Sequence, residues 1–254
     1  MRLGILFGRK WIATTALVLL GALVCARLGI WQLDRLRERT NANAHIALMR
    51  SLAPLTLPSS EDLSTQEYRA AQGRGTYDFD NQVAIRNQAY EGQVGYRLLT
   101  PLRLEGAHDG APGMLSSILV DRGWIPAEGN ENPQDWRKYD LASPTEVTGM
   151  LRLGQDGPSF GGVAQPPSPS GEMADFWMYI DVAQIGRELP YAVLPVYLQA
   201  DSIHSPSNFP VAQIEDLELT EGPHRGYALQ WFSFAAILLI GYPFFVSRKE
   251  SGRA

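Results

Sequence analysis

A run of 20 consecutive residues without a charge, from Tyr227 to Val246, limits what this chain can fold into more than any other feature. At ~1.5 Å per residue, a helix of this length matches the ~30 Å hydrocarbon core of a bilayer. The length disfavours the alternative, which is a buried helix of a soluble protein. We therefore predict a membrane span at 223–246, followed by a basic tail at 247–254.

A second apolar stretch lies near the amino terminus, where Trp11 to Ala26 carries no charge. It extends through Trp31 if Arg27 is tolerated near an interface, so we predict a basic tail at 1–10 and a first span at 11–31. A cleaved signal peptide is the alternative, but no small-x-small cleavage site follows the stretch. The sequence therefore favours a span that is retained.

The basic residues near the second span predict its orientation. Arg248, Lys249 and Arg253 follow this span, whereas only Arg225 lies just before it, so the carboxyl terminus is expected in the cytoplasm. Two spans then place both termini in the cytoplasm and the central domain, 32–222, on the periplasmic or outer face. Because the short basic amino terminus lacks an Arg-rich and Ser-rich presequence, we expect a multi-pass protein of a bacterial plasma membrane rather than a mitochondrial inner membrane.

The central region is acidic. Leu28 to Gly222 contains 14 basic and 26 acidic residues, a net charge of -12, within a chain whose net charge is -5. A broad basic surface, which duplex nucleic acid would need, is therefore not expected. The chain is predicted to bind no nucleic acid.

Strand and turn signals dominate the same region. Apolar, β-branched and aromatic residues alternate with polar ones between Gly, Pro and Asn in seven segments: YRAAQGRGTYD, QVAIRN, VGYRLLTPLRLEG, SSILVDRGWIP, TEVTGMLRLG, FWMYI and VLPVYLQAD. We also expect the first helix to continue after its span, a short helix at Asp181 to Leu189 and a flexible loop at Gly154 to Gly171. The predicted fold is a membrane protein whose two transmembrane α-helices flank an outer α+β domain of six or seven mostly antiparallel strands.

No pattern of catalytic residues is present in the sequence. It contains no Gly-x-Ser-x-Gly motif, phosphate loop, His-Glu-x-x-His motif or paired-glycine dinucleotide motif. Cys25 is the one cysteine, which excludes an intramolecular disulfide and a metal-binding cysteine pair. The four histidines are far apart, and none has a second ligand at i+3 or i+4, so a histidine-cluster metal site is not indicated. We predict that the protein is not an enzyme.

His224 is the histidine whose position is most informative. Gly222 and Pro223 precede it and predict that it lies in the first turn of the second helix, at the outer membrane interface. Tyr227 and Trp231 follow on the same helical face, so an aromatic strip is expected under the imidazole, where a flat hydrophobic ligand could lie. The helix dipole disfavours imidazolium there, which keeps the ring neutral and able to coordinate iron. Ordinary interfacial anchoring is the alternative.

Arg27, Trp31 and Arg35 follow each other at intervals of four residues and share one face of the first helix near the same interface. The two arginines could bind propionate carboxylates through charge-assisted hydrogen bonds. In the alternative interpretation, Arg27 extends to lipid phosphate and Arg35 pairs with Asp34 or Glu38. Two uncharged polar residues near the spans can hydrogen-bond one helix to the other: Gln32 and Gln230.

The segment ILVDRGWIP contains two charges inside a strongly apolar strand. Strict alternation places alternate residues on opposite faces, with Ile118, Val120, Arg122 and Trp124 on one and Leu119, Asp121 and Ile125 on the other. These two charges, Asp121 and Arg122, indicate a specific buried partner or a docking surface, and the default interpretation is a structural ion pair that holds the sheet. Gly123 is expected to permit a bend or a close approach of backbone.

Five blocks of the sequence carry a resemblance to a known family: GIWQLDRLRER, EYRAAQGRGTYD, GYRLLTPLRLEG, ILVDRGWIP and HRGYALQWFSFA. In this order, with two spans, they resemble the surfeit locus protein 1 family of cytochrome c oxidase assembly factors. ILVDRGWIP is the most specific block, and HRGYALQWFSFA resembles the family's opening of the second span. One departure is Gly222, because the family commonly has Asn two residues before the histidine.

The resemblance implies a non-enzymatic role in maturing the catalytic subunit of a haem-copper oxidase. Bacterial members are similar to haem a chaperones that use the second-span histidine, so His224 is the expected iron ligand and haem a the expected cofactor. The predicted cofactor-binding residues are His224, Tyr227, Trp231, Arg27, Trp31 and Arg35. Expected partners are the cytochrome c oxidase catalytic subunit and membrane lipid, with a haem a synthesis enzyme as a further candidate. The alternative is a haem-free scaffold that stabilises the nascent subunit through the outer domain.

Overall fold

The computed structural model describes residues 3–106, 117–142, 144–158, 162, 164–165, 174–201, 209–212 and 219–251. Most of the predicted loop at Gly154 to Gly171 lies outside these residues. The chain forms two compact units. The first consists of Met1–His45 and Leu217–Ala254, and the second of Ile46–Asp216.

Two long helices form the first unit. Helix α1 spans Ile12–Ser51, and helix α3 spans His224–Ser251; the short helix α2, Val182–Glu188, belongs to the second unit. The most apolar window of each long helix is long enough to cross a membrane, and only 17% of it in α1 and 11% in α3 is buried. A core helix of a soluble protein would be mostly buried, so these outward-facing apolar side chains fit contact with lipid. The predicted continuation of the first helix beyond Trp31 is confirmed.

The two long helices pack along a line of mostly small side chains, which we call the seam. On α1 the buried residues Thr15, Ala22 and Gly29 recur every seven positions, with Gln32 one turn beyond. The buried residues of α3 are Ala228, Ala235 and Val246. A period of seven keeps one stripe of each helix against its neighbour, as in coiled coils.

The second unit is built on a sheet of eight strands. They are β1 (Leu55–Leu57), β2 (Ala70–Tyr77), β3 (Val83–Tyr90), β4 (Gln93–Leu104), β5 (Ser117–Pro126), β6 (Thr145–Leu153), β7 (Phe176–Trp177) and β8 (Val193–Ala200). The strand order is β1-β2-β6-β8-β5-β4-β3-β7. Because β2 also pairs with β4, strands β2, β6, β8, β5 and β4 close into a barrel.

The prediction of mostly antiparallel strands is confirmed, since five of the eight pairings are antiparallel. All seven predicted segments contain a strand. The eighth strand, β1, was not predicted, because three residues are too few to show a clear alternation. The predicted fold of two helices flanking a strand-rich α+β domain is likewise confirmed.

The described apolar residues of the second unit form three clusters, and the smallest consists of Ala84, Leu98, Ile125, Trp136 and Tyr139. Every strand of the barrel contributes to its interior cluster, which includes Leu102, Ile118, Leu151 and Leu198. A second cluster lies under helix α2, whose Val182 and Ile185 are buried in it. Asp181 begins this helix by accepting a hydrogen bond from the Gln184 amide at 2.8 Å, which confirms the predicted short helix.

The segment ILVDRGWIP forms strand β5, which is almost completely buried. Its alternation holds up to Val120 and is then interrupted by a bulge, where Leu98 pairs with Gly123 and Leu99 with Asp121. Gly123 has φ +112°, and the Trp124 amide donates to the Val211 carbonyl at 2.8 Å. The expected close approach at Gly123 is therefore confirmed, whereas strict alternation across the whole segment is wrong, because the bulge inserts one residue.

Asp121 and Arg122 do not pair with each other, because each side chain has a different buried partner. Asp121 pairs with Arg97 across strands β4 and β5. Arg122 donates to the carbonyl oxygen of Tyr139, and its guanidinium lies over the Tyr77 ring, 5.4 Å from the ring centroid. Since Asp121 is 2% exposed and Arg122 fully buried, the structural interpretation is confirmed, and the two charges offer no docking surface.

Tyr77 predicts how the central domain responds to alkaline pH. Burial raises the pKa of its hydroxyl to about 12 from 10.0, and that hydroxyl has no hydrogen-bond partner among the described residues. The folded state favours the protonated form of Tyr77. Its titration therefore leaves the free energy of unfolding unchanged below pH 10 and lowers it by about 3 kcal/mol as the pH rises towards 12. We expect the melting temperature to fall in this range, and less steeply in Tyr77→Phe.

The same variant tests the burial of the hydroxyl at neutral pH. Removing a buried polar atom without a partner leaves stability unchanged or raises it by about 1 kcal/mol. Burial also raises the pKa of Tyr191, so part of the alkaline loss persists in Tyr77→Phe. Identical melting curves of wild type and Tyr77→Phe from pH 8 to 12 would contradict the raised pKa of the Tyr77 hydroxyl.

Candidate functional site

His224 lies in the first turn of helix α3, as predicted, and the preceding residues fix how the chain enters this helix. Gly222 has φ +68°, a left-handed conformation that glycine adopts freely and asparagine tolerates. This explains why Gly222 can stand where the resembling family commonly has Asn. The carbonyl oxygen of Pro223 accepts a hydrogen bond from the Tyr227 amide at 3.1 Å, which begins the helical hydrogen bonding.

The imidazole of His224 makes one direct contact with helix α1. Its Nδ1 lies 2.8 Å from Oε1 of Gln32, a side chain only 9% exposed. The predicted hydrogen bond between the helices through Gln32 is therefore confirmed, whereas Gln230 is exposed. The pair lies at the end of the seam from which α1 continues towards Ser51, and we call this the outer end.

Below this pair the seam is closed by direct packing. A Cβ added at Gly29 would stand 2.7 Å from the Phe232 ring, so the ring rests on the glycine backbone. Two turns further along α1, the buried Ala22 continues the line of small side chains, as Ala235 does on α3. The contact between Phe232 and Gly29 therefore closes the seam below His224.

The two sides of the seam differ in their side chains. Phe232 covers Gly29 on one side. Since residues of a helix are ~100° apart, Arg35 of α1 and Tyr227 of α3 lie towards the other side, which we call the aromatic flank. Trp31 is ~200° from Gly29 and borders this flank beside Arg35. Trp31 is 44% exposed and Tyr227 48%, while Trp231 is half-buried beside them. The aromatic flank is therefore an accessible apolar surface next to His224.

The two predicted propionate partners lie in different surroundings. The Arg35 guanidinium lies 5.9 Å from the Trp31 ring centroid and pairs with Glu38 at 2.7 Å, as the alternative interpretation expected. It lies three residues outward of Gln32, or ~4.5 Å along the axis. Arg27 is exposed five residues inward, on the side of α1 turned away from the seam. Binding of propionate by either arginine stays a prediction.

A polar cluster at the opposite end of the helix pair was not predicted. Thr15 donates to the carbonyl oxygen of Leu6 and lies 2.8 Å from the Tyr242 hydroxyl. Lys10 pairs with Glu250 at 2.5 Å, and the Trp11 indole donates to the same carboxylate at 3.1 Å. The signal available in the sequence was Glu250, the one acidic residue after the second span. This cluster fixes the register of the two helices far from His224.

The described part of the chain offers no competing metal site that is built from a cluster of side chains. No group of three or more His, Cys, Asp and Glu side chains there could hold a metal ion. Among the described residues, His224 is therefore not part of a cluster of metal-binding side chains. It can serve as the protein ligand of a metal only if that metal brings other ligands with it, as a macrocycle does.

Comparison with known proteins agrees with the order of features along the chain. The family model described as the SURF1 family matches residues 19–236. A Surfeit locus protein 1 of Arabidopsis thaliana is 23% identical over 92% of this chain and 78% of its own length. An uncharacterised SURF1-like protein of Mycobacterium tuberculosis is 28% identical over 99% of this chain and 89% of its own length. The human Surfeit locus protein 1 is 23% identical over 82% of this chain and 69% of its own length. Because the family model covers most of the chain, including most of helix α1, the whole barrel and the beginning of helix α3, the chain belongs to the SURF1 family.

Proposed function

We propose that this protein is an assembly factor for a haem-copper cytochrome c oxidase, and that it binds haem a at the outer end of its helix pair. It then assists delivery of haem a to the oxidase catalytic subunit, or its retention there. The SURF1 family is generally known as a family of oxidase assembly factors, and the names of its members favour such a role over catalysis.

The position of His224 is the observation that carries this proposal. Its ring is half-buried at the outer end of the seam, and Nδ1 is bonded to Gln32. The other ring nitrogen, Nε2, lies beside Gly222, 3.6 Å from the point that a Cβ added to this glycine would occupy. No hydrogen bond joins Nε2 to another described residue. A neutral imidazole with one nitrogen held and one available is suited to bind haem iron.

The residues around His224 fit a flat, largely apolar macrocycle with acidic substituents. Tyr227, Trp231 and Trp31 of the aromatic flank provide ring surfaces, and Arg35 provides a cation at the aqueous end of that flank. The bound haem would supply an iron centre, which His224 would hold. The closed packing of Gly29 against Phe232 favours binding along the flank rather than deeper between the helices.

The same arrangement supports transient binding. A single protein ligand holds the iron weakly compared with two, and the site is open to the side, where Trp31 is 44% and Tyr227 48% exposed. A partner in the membrane can therefore contact the ligand while it is still held by His224. We propose the oxidase catalytic subunit as this partner, with a haem a synthesis enzyme as a second candidate.

We also propose that both helices cross a bacterial plasma membrane with both termini in the cytoplasm and the barrel on the periplasmic side. The excess of Arg and Lys after helix α3 supports this orientation. Large apolar side chains of α3, including Leu229, Ile237 and Ile240, are more than 60% exposed, which supports contact with lipid along the helix.

Purification of the full chain in mild detergent from cells that make haem a tests the proposal. We expect a haem a spectrum, an extractable haem a and co-purification of the tagged oxidase subunit. A colourless protein that still captures the oxidase subunit would instead favour the haem-free scaffold, in which the acidic central domain makes the contact. A colourless protein that captures nothing would contradict both.

A further inference from the structure

We propose that Gln32 is a positioning residue that selects the tautomer of His224 and so decides which ring nitrogen faces the haem iron. This inference rests on the proposed function, because it concerns the availability of the iron ligand. Gln32 itself touches neither iron nor haem. It acts only through the hydrogen bond to His224.

The chemistry of the two atoms in contact determines the tautomer. Oε1 of Gln32 is a carbonyl oxygen, which accepts hydrogen bonds and cannot donate them. The imidazole nitrogen at 2.8 Å, Nδ1, must therefore carry the proton. In the neutral ring the lone pair is then on Nε2, which is the nitrogen that can bind a metal. Free histidine side chains favour the opposite tautomer, with the proton on Nε2, so the preference has to come from the protein.

The surroundings of Gln32 make it a rigid acceptor. It lies on the seam of α1, one turn outward of Gly29, and is almost completely buried. A buried amide loses a hydrogen bond to water unless a protein group replaces it, so the contact with His224 is favoured over rotation away from it. Residues that hydrogen-bond to a metal-binding histidine fix the orientation of its ring in the same way in other metal sites.

The contact between Gln32 and His224 joins two sequence blocks, GIWQLDRLRER and HRGYALQWFSFA. They lie at opposite ends of the sequence, with Gln32 in the first and His224 in the second. Antiparallel packing of the two helices brings the two side chains to one level. The tautomer of His224 is thus set from the first helix, and it depends on the register in which the helices pack.

Nitrogen NMR of the full chain in lipid nanodiscs tests this assignment directly. The chain is labelled with 15N-histidine and studied near pH 8, without haem, and the signals of His224 are identified by their loss in His224→Ala. In the wild type we expect Nδ1 to be the protonated nitrogen. Gln32→Met, which keeps the shape but removes the acceptor, is expected to shift the proton towards Nε2. Gln32→Glu keeps an acceptor at this position and is expected to preserve the wild-type pattern.

Haem a titration of the same variants adds a second readout. Loss of a residue that orients a metal ligand typically weakens binding ~10–100-fold, so we expect this loss in Gln32→Met and a return towards wild-type affinity in Gln32→Glu. Gln230→Met is the matched control, since it removes an exposed glutamine from α3 and is expected to change neither the nitrogen pattern nor the affinity.

Two results overturn the inference: a wild-type His224 protonated on Nε2, or an unchanged nitrogen pattern in Gln32→Met. A purely structural role of Gln32 would lower stability without changing the protonated nitrogen. Failure of the proposed function is a separate outcome. A wild-type chain that binds no haem a, while its nitrogen pattern still depends on Gln32, would refute the haem proposal and support the assignment of the tautomer.

Discussion

Replacing Gly123 with alanine is expected to lower the free energy of unfolding of the central domain by about 4 kcal/mol, one of the two largest effects that the structure predicts. Gly123 has φ +112°, which side chains rarely adopt, and a Cβ there would overlap the carbonyl group of Val211. The strain costs ~1–3 kcal/mol, and the overlap adds the loss of the hydrogen bonds between Trp124 and Val211. Thermal unfolding of the full chain in detergent, followed by circular dichroism, measures the effect.

Gly92→Ala is the matched control for this prediction. Gly92 has φ +79°, but nothing lies within 4 Å of an added Cβ, so only the conformational strain remains. We expect a loss of ~1 kcal/mol at this position. Equal losses in the two variants would show that the approach of Val211 to strand β5 contributes nothing, contrary to the account of the bulge.

Replacing His224 with alanine is expected to weaken the binding of haem a by more than ~100-fold, beyond the effect of losing a neighbour that only orients a ligand. The described part of the chain offers no cluster of metal-binding side chains that could substitute for this ligand. The helix pair itself is expected to persist, because Ala228, Gly29 and the cluster around Thr15 do not depend on the imidazole. Absorbance titration of the purified chain with haem a gives the affinity.

His45→Ala is the control for the titration, since His45 is an exposed histidine on α1 beyond the seam. It is expected to bind haem a with the affinity of the wild type. Retention of full affinity in His224→Ala would contradict the assignment of the ligand. A loss of the same size in both variants would point to an indirect effect of histidine replacement.

Local sequence patterns predicted the helices and strands of this fold but not the closure of its sheet into a barrel. Uncharged length predicted both spans, and alternation predicted seven of the eight strands, because each of these signals is contained within one segment. Closure of the barrel depends on the pairing of Tyr77 with Leu102 and its neighbours, which no single segment encodes. The bulge at Gly123 depends in turn on the approach of Val211 from a distant part of the chain.

In the candidate site, too, the local feature was predicted from the sequence, whereas the contact between distant residues was not. The Gly-Pro pair before His224 predicted its position in the first turn of the helix, and the structure agrees. The contact with Gln32 depends on the register of two helices almost 200 positions apart in the sequence. One signal could have indicated the partner: Thr15, Ala22 and Gly29 recur every seven residues and predict the face of α1 on which Gln32 also lies.

Resonance Raman spectroscopy of ferrous haem a bound to the full chain tests whether His224 holds the haem iron, because it observes the bond between iron and histidine nitrogen. We predict an iron–nitrogen vibration that shifts when the chain is labelled with 15N-histidine and that is absent in His224→Ala. A vibration that persists unchanged in His224→Ala, or a complex without any histidine-dependent band, would contradict the proposal that His224 holds haem a.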